Sequence, residues 1–283
     1  MRIQARAKVN LSLEVIGRRP NGYHELVSVM QTVELADELE LHQASSVFFT
    51  CSEPELEANN LVSRASDLFL GRFSGSLGVN MHLEKRIPVG AGLGGGSSDA
   101  AAALSGLRSF WKVPASCLDL LGMAERLGSD VPFFLYGGTA LVQGRGEQVT
   151  PLPRLPTSWI LVANPRIHVS TADVFRALSS SDWTDGIHTL GLAKNLQRGV
   201  ATDSGINGLQ ETLFRLHPDA RACYEAMQAA TDGKAMVSGS GPSVYALFSS
   251  EAAATEAQST LHPTYWSCVT RTWAPEPAES PCP

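Results

Sequence analysis

Five of the chain's 25 glycines fall in one short run: Pro88, Val89, Gly90, Ala91, Gly92, Leu93, Gly94, Gly95, Gly96, Ser97 and Ser98. Residues without a Cβ let consecutive backbone N–H groups close on an anion. An alanine-rich helical stretch follows from Ser97, so the unpaired amides and positive dipole end of a helix aim at the same place. Phosphate is the guest such a loop suits, and a flexible linker would not run straight into a capped helix. Gly90, Gly92 and Gly95 also satisfy the dinucleotide-binding spacing. Three features argue against that reading: the strand before them alternates, Pro88 interrupts the approach, and the acid at the right distance, Asp119, falls inside a helical pattern. A P-loop fails as well, because no Gly-Lys-Ser/Thr follows the glycines.

Other groups with chemical potential are spread along the chain. Lys8, Asn10 and Ser12 sit two residues apart on the polar face of an alternating segment, so they project together. Asp130 follows a helical pattern in Gly128-Ser129-Asp130-Val131-Pro132, and Tyr23 and His24 follow a Pro-Asn-Gly turn. On local sequence alone these read as a solvated lysine, a loop acid bonded to backbone amides, and a packing ring beside a surface imidazole. The second glycine-serine run, Ser238-Gly239-Ser240-Gly241, lies between apolar strands and reads first as a hairpin turn, with a role in a ligand cleft as the second reading.

Positioning these groups requires a mixed architecture. Alternation over 3–15 predicts a half-buried strand, and 26–41 continues as one or two more. A helix is expected from Leu61, a strand over 79–83, a helix after the glycine run, and another over 114–127 that leaves Asp130 in the loop beyond it. Three prolines within 151–156 mark a boundary. Beyond it the pattern gives strands at 159–163, 235–237, 244–248 and 265–273, and helices at 172–178, 208–216, 220–230 and 251–261. Two α+β lobes with mainly antiparallel strands and a cleft between them follow, at 1–154 and 155–273. The tail, 274–283, has four prolines and is expected to be disordered.

Composition narrows the partners. With 22 basic against 28 acidic residues the formal charge is −6, the wrong balance for a general nucleic-acid binder. No segment has the roughly 20 apolar residues of a membrane span and the N-terminus has no leader pattern, so a cytoplasmic protein is expected. The five cysteines are odd in number, scattered and without a C-x-x-C pair, which argues against a disulfide framework or a cysteine-built metal site and for a reducing compartment. The seven histidines lack metal-ligand spacing, and no obligate protein partner is evident.

The strand around Lys8, the glycine run and the 238–241 loop resemble, in order, the three motifs of the GHMP kinases. The segments 7–13, 18–26 and 128–134 further resemble the branch of that family whose acceptor is a cytidine-diphosphate-linked methylerythritol. The resemblance spans about residues 5–248. It implies a ribosomal-protein-S5-like N-terminal lobe and a ferredoxin-like C-terminal lobe. The activity it implies is ATP- and Mg²⁺-dependent phosphorylation of the acceptor's 2-hydroxyl, on the non-mevalonate route to isoprenoid precursors. It also implies roles: residues 88–98 hold ATP, Asp130 handles the hydroxyl proton with Lys8 beside it, and Asn10, Tyr23 and His24 bind the acceptor, with Phe175 either the facing aromatic of that acceptor site or a helix-core ring. A mevalonate- or homoserine-type kinase and a non-catalytic nucleotide-binding module are the alternatives. Two departures stand out: Asn21 where the family often has Asp, and no second acidic metal ligand, so phosphates and water would hold most of the Mg²⁺ shell.

Overall fold

The computed structural model describes residues 1–73, 78–200, 205–276 and 282. The alternating N-terminal segment becomes β1 (Arg2–Arg18), which pairs antiparallel with the long β2 (His24–Ala44) along nearly its whole length. On its other edge β2 pairs with β4 (Gly78–Glu84) near its end and with β5 (Thr139–Gly144) near its start. The parallel β3 (Val47–Cys51) and the antiparallel β6 (Gln148–Pro151) extend that sheet to six strands.

Helices α1 (Leu61–Phe73), α2 (Gly95–Phe110) and α3 (Cys117–Leu127) cover one face of this sheet, followed by the short α4 (Val131–Tyr136). Four consecutive alanines of α2, 100–103, are buried against Leu39, Leu41, Met81 and Leu83 of the sheet. Small side chains there let the helix lie close to the strands, which brings its N-terminus down to sheet level. Ser116 caps α3 by accepting from the Asp119 N–H while Asp119 reaches back, a reciprocal capping box.

The second lobe has a four-stranded antiparallel sheet in the order β10 (Trp266–Arg271), β7 (Trp159–Asn164), β9 (Val244–Phe248), β8 (Met236–Val237). Around it lie α5 (Thr171–Arg176), α6 (Ile187–Gln197), α7 (Gln210–Leu216), α8 (Pro218–Ala230) and α9 (Glu251–Thr260). The mixed α+β architecture and its two sheets are those expected. A third core, however, is shared between the lobes: Ala7, Val9 and Val29 pack with Ile160, Val162 and Tyr245.

Three expectations need correction. β1 is not half-buried; from Ala7 to Val15 every residue is buried on both faces. Its polar face is covered by the other lobe: Ser12 Oγ bonds Thr189 Oγ1 at 2.7 Å, Glu14 Oε2 accepts the Thr189 N–H at 2.7 Å, and Tyr245 donates its hydroxyl to the Asn10 carbonyl at 2.8 Å. Alternation records which residues are polar, and not what later packs on them. The reading against a disulfide framework is also corrected, because Cys117 and Cys282 are bonded. Their separation of 165 residues leaves no local spacing to detect. Finally, α4, α6, β3, β5 and β6 lie outside the expected elements. The α4 segment is too short to show a period, and Ile187 and Leu190 of α6 are exposed, which blurs its apolar stripe.

The tail expected to be disordered from 274 lies partly outside the described residues. Where it is described it makes contacts: Arg154 donates to the carbonyls of Ala274 and Pro275, and Cys282 is buried. No helix among the described residues is long and apolar enough to cross a membrane.

Candidate active site

Lys8, in the middle of β1, is only 3% exposed, yet it borders a cavity of about 1000 Å³ between the lobes. Its ammonium donates to Asn10 Oδ1 at 2.6 Å and to the Gly92 carbonyl at 2.8 Å. An ammonium has three hydrogens. The third has Asp130 Oδ2 as its charged neighbour, 4.0 Å away. Burial pulls the Lys8 pKa below that of a free lysine, and the Asp130 carboxylate opposes the shift. Asp130 is 33% exposed and sits between α3 and α4, as the residue preceding the first turn of α4. Helix, acid, helix is therefore its context, where the sequence pattern marks only the first helix.

The glycine run forms one wall. Gly94 takes a left-handed φ of 73° and α2 begins at Gly95. The first helical bond in this turn runs from the Ser98 N–H to the Gly94 carbonyl at 2.9 Å, so the amides of Gly95, Gly96 and Ser97 precede the helical ladder and belong to its open end. Of the residues expected to hold phosphate, Pro88, Val89, Gly90, Ala91, Gly92, Gly94, Gly95, Gly96 and Ser97 line the cavity. Leu93 and Ser98 do not. Leu93 is buried in the shared core, where its carbonyl accepts the Lys8 N–H at 2.9 Å, and Ser98 is buried with its amide engaged in the helix.

The second glycine-serine loop presses directly on the first. A Cβ on Gly92, whose φ is +73°, would lie 2.2 Å from the Ser238 carbonyl oxygen, so no other residue fits there without moving a backbone. Ser238 Oγ donates to the Gly92 carbonyl at 3.0 Å, and Gly239 and Ser240 line the cavity. The cleft reading of 238–241 thus prevails over a plain hairpin turn.

At the far end, Tyr23, His24 and Phe175 line the same cavity. The His24 and Phe175 rings lie 5.3 Å apart, and Tyr23 is half exposed with the Arg145 guanidinium 5.3 Å above its ring. Burial, assisted by the positive charge of Arg18, lowers the His24 pKa below 6.5. Asn10 stands between the ends, with its amide donating to Ser28 Oγ at 2.8 Å.

One group escapes the sequence reading altogether. Lys85, after β4, bonds Asp37 and Asp99 at 2.5 and 2.8 Å beneath the glycine run. Desolvation, the Lys85 attraction working against it, and the Asp37 carboxylate together leave the Asp99 pKa raised to about 7. Asp99 Oδ1 is buried without a hydrogen-bond partner. Asp99 follows the glycine run immediately, which is a usable signal, but Asp37 and Lys85 are isolated charges in strand patterns and give none.

Of this site, with a helix start and glycine loop at one end, an aromatic end opposite and a lysine-carboxylate pair between, the glycine run, Asp130 and the 238–241 loop fall in segments that match a known family. Residues 60–138 match the GHMP kinases N terminal domain and 191–267 the GHMP kinases C terminal domain. This is the class the fold defines. A curated 4-diphosphocytidyl-2-C-methyl-D-erythritol kinase of Brevibacillus brevis is 38% identical over 261 residues, covering 88% of each chain. One of Exiguobacterium sibiricum is 39% identical over 251 residues, 87% of this chain and 88% of the relative. A crystal structure of 4-(cytidine 5'-diphospho)-2C-methyl-D-erythritol kinase superposes with a TM-score of 0.84 at 35% identity, over 97% of this chain and 100% of that one. The chain belongs to the 4-diphosphocytidyl-2-C-methyl-D-erythritol kinase family. Mevalonate kinase of Methanococcus jannaschii, at 13% identity and a TM-score of 0.70 over 96% of this chain and 98% of that one, shares the fold.

Proposed function

We propose that this protein transfers the γ-phosphoryl group of ATP to the 2-hydroxyl of 4-diphosphocytidyl-2-C-methyl-D-erythritol, in the cytoplasm, as a step of the non-mevalonate isoprenoid route. The observation that carries this is the 4.0 Å approach of Lys8 to Asp130 in one cavity with the glycine run and the Tyr23, His24 and Phe175 cluster.

The glycine run and the open turn of α2 bind the triphosphate with backbone amides, which suits charge spread over several oxygens. The cytosine enters the aromatic end, where a ring face stacks on the base and the neutral imidazole of His24 meets its polar edge. Asp130 takes the proton of the acceptor hydroxyl as its oxygen attacks phosphorus. Lys8, already holding Asn10 and Gly92, faces the charge that builds on the transferring group, and its desolvated setting strengthens that interaction.

Among the described residues no group of three or more His, Cys, Asp or Glu could hold a metal ion. Asp130 lines the cavity, as do Glu55 and Asp99, the latter paired with Lys85. This donor set fits Mg²⁺ carried mainly by the nucleotide's own oxygens and water, with Asp130 and Ser97, which both line the cavity, as the residues that would hold it. Bound there, the ion would neutralise phosphate charge.

The test is turnover with the purified acceptor. Wild-type protein should form ADP and phosphorylated product, and Asp130→Asn should lower kcat by about 10²-fold or more while leaving ATP affinity nearly unchanged. Undiminished kcat in the Asp130→Asn variant would remove the carboxylate from the mechanism.

A further inference from the structure

Five cationic side chains border the cavity, and three are already neutralised. Lys8 faces Asp130, Lys85 lies between Asp37 and Asp99, and Arg176 pairs with Asp173. Arg18 and Arg145 remain; among the described residues neither has a carboxylate within ion-pair reach of its guanidinium. The acid nearest Arg145 in sequence, Glu147, is engaged elsewhere. It accepts from Arg19 Nη1 at 3.3 Å and from the Arg145 backbone N–H at 2.7 Å.

Arg145 is nevertheless held in place. Its Nη2 donates to the Glu125 carbonyl at 2.7 Å, and its guanidinium lies over the Tyr23 ring. Its neighbour Gly146 is against the catalytic acid, since a Cβ there would stand 3.3 Å from Asp130 Oδ1. A fixed, half-buried and uncompensated cation therefore sits between the aromatic end of the cavity and the carboxylate that meets the reacting hydroxyl.

We propose that Arg145 recognises the diphosphate of the acceptor, with Arg18 adding to the same positive field. The inference rests on the function proposed above and follows from the order of groups along that acceptor: base, ribose, diphosphate, sugar alcohol. With the base at Tyr23 and the hydroxyl at Asp130, the diphosphate must pass between them. A guanidinium presents a fork of donors that matches two phosphate oxygens, and it spends one N–H on the Glu125 carbonyl while others stay available. Tyr23 then serves twice, offering ring surface to the base and a negative face to the arginine.

Binding of cytidine and CDP by calorimetry isolates the diphosphate from catalysis. In the wild type CDP should bind about tenfold or more tighter than cytidine, as expected for charge-assisted bonds. Arg145→Met should erase most of that ratio while cytidine affinity stays constant, and Arg145→Lys should restore part of it. In turnover, Arg145→Met should raise the KM for the acceptor by a similar factor with the KM for ATP unchanged. If cytidine and CDP affinities fall together, Arg145 merely supports the Tyr23 ring, and the proposal is overturned. An unchanged ratio overturns it too. Should the methionine variant fail to fold, Arg145→Gln decides by the same ratio: it should bring CDP close to cytidine, and an unchanged ratio overturns the proposal. Failure of the wild type to phosphorylate the acceptor would instead refute the function, and the cytidine–CDP comparison would still read the charge.

Discussion

His24 and Asp99 are titratable groups whose settings move them in opposite directions. His24 loses proton affinity through burial and the Arg18 charge, so the imidazole keeps its neutral form to lower pH than a free histidine. Acceptor KM should therefore be flat from neutral pH upward and rise only in acid, below the usual histidine range, a dependence that His24→Asn should abolish. Asp99 has its pKa raised from 3.8 to about 7. Between those values the native state holds a proton that the unfolded chain has released, so stability falls as pH rises through that window. Urea midpoints of wild type and Asp99→Asn at pH 5 and pH 8 check this. The difference should move in favour of the variant at the higher pH, and a pH-independent difference would mean that Asp99 does not titrate there. These two residues are unequally legible. His24 stands beside a turn and an aromatic neighbour, whereas the cluster of Asp37, Lys85 and Asp99 comes from three separate segments that only the fold assembles.

Elements carry a different kind of information. The strand, glycine run and following helix can be read from sequence because each has a local cause: alternation, absent side chains, and an alanine face. The covering of β1 by the second lobe has no such local cause, since Ser12 and Glu14 look like solvent-facing residues until Thr189 is brought to them. The contact between the two glycine loops is likewise tertiary. It makes Gly92 a sensitive position: Gly92→Ala places a side chain at φ +73° and within 2.2 Å of the Ser238 carbonyl. The backbone conformation alone should cost about 1–3 kcal/mol. The displaced loop should also weaken ATP binding, because the Gly92 carbonyl anchors Lys8. Thermal unfolding and nucleotide titration of the variant report the two effects separately, and normal values for both would show that the loops can part freely.

At the scale of the whole molecule, two features tie the chain together beyond its lobes. The shared core joins Ala7 and Val9 to Ile160 and Val162, so neither lobe completes its apolar packing alone. The Cys117–Cys282 bond then returns the C-terminus to the start of α3, the helix that leads to Asp130. Closing a loop of that size restricts the unfolded chain, and in the chain-entropy description the gain is on the order of 5 kcal/mol. Cys282→Ser should consequently unfold at a lower urea concentration than the oxidised wild type, and a thiol reductant should bring the wild type down to the same midpoint. Reductant should leave the variant unmoved, because Cys51, Cys223 and Cys268 are free thiols in the native state. The bond lies on the outer end of α3 and none of its atoms borders the cavity, so kcat at low temperature should be equal in the two forms. A variant as stable as the oxidised protein would show that packing of residue 282 in the core of the first lobe, and not the covalent link, holds the terminus in place.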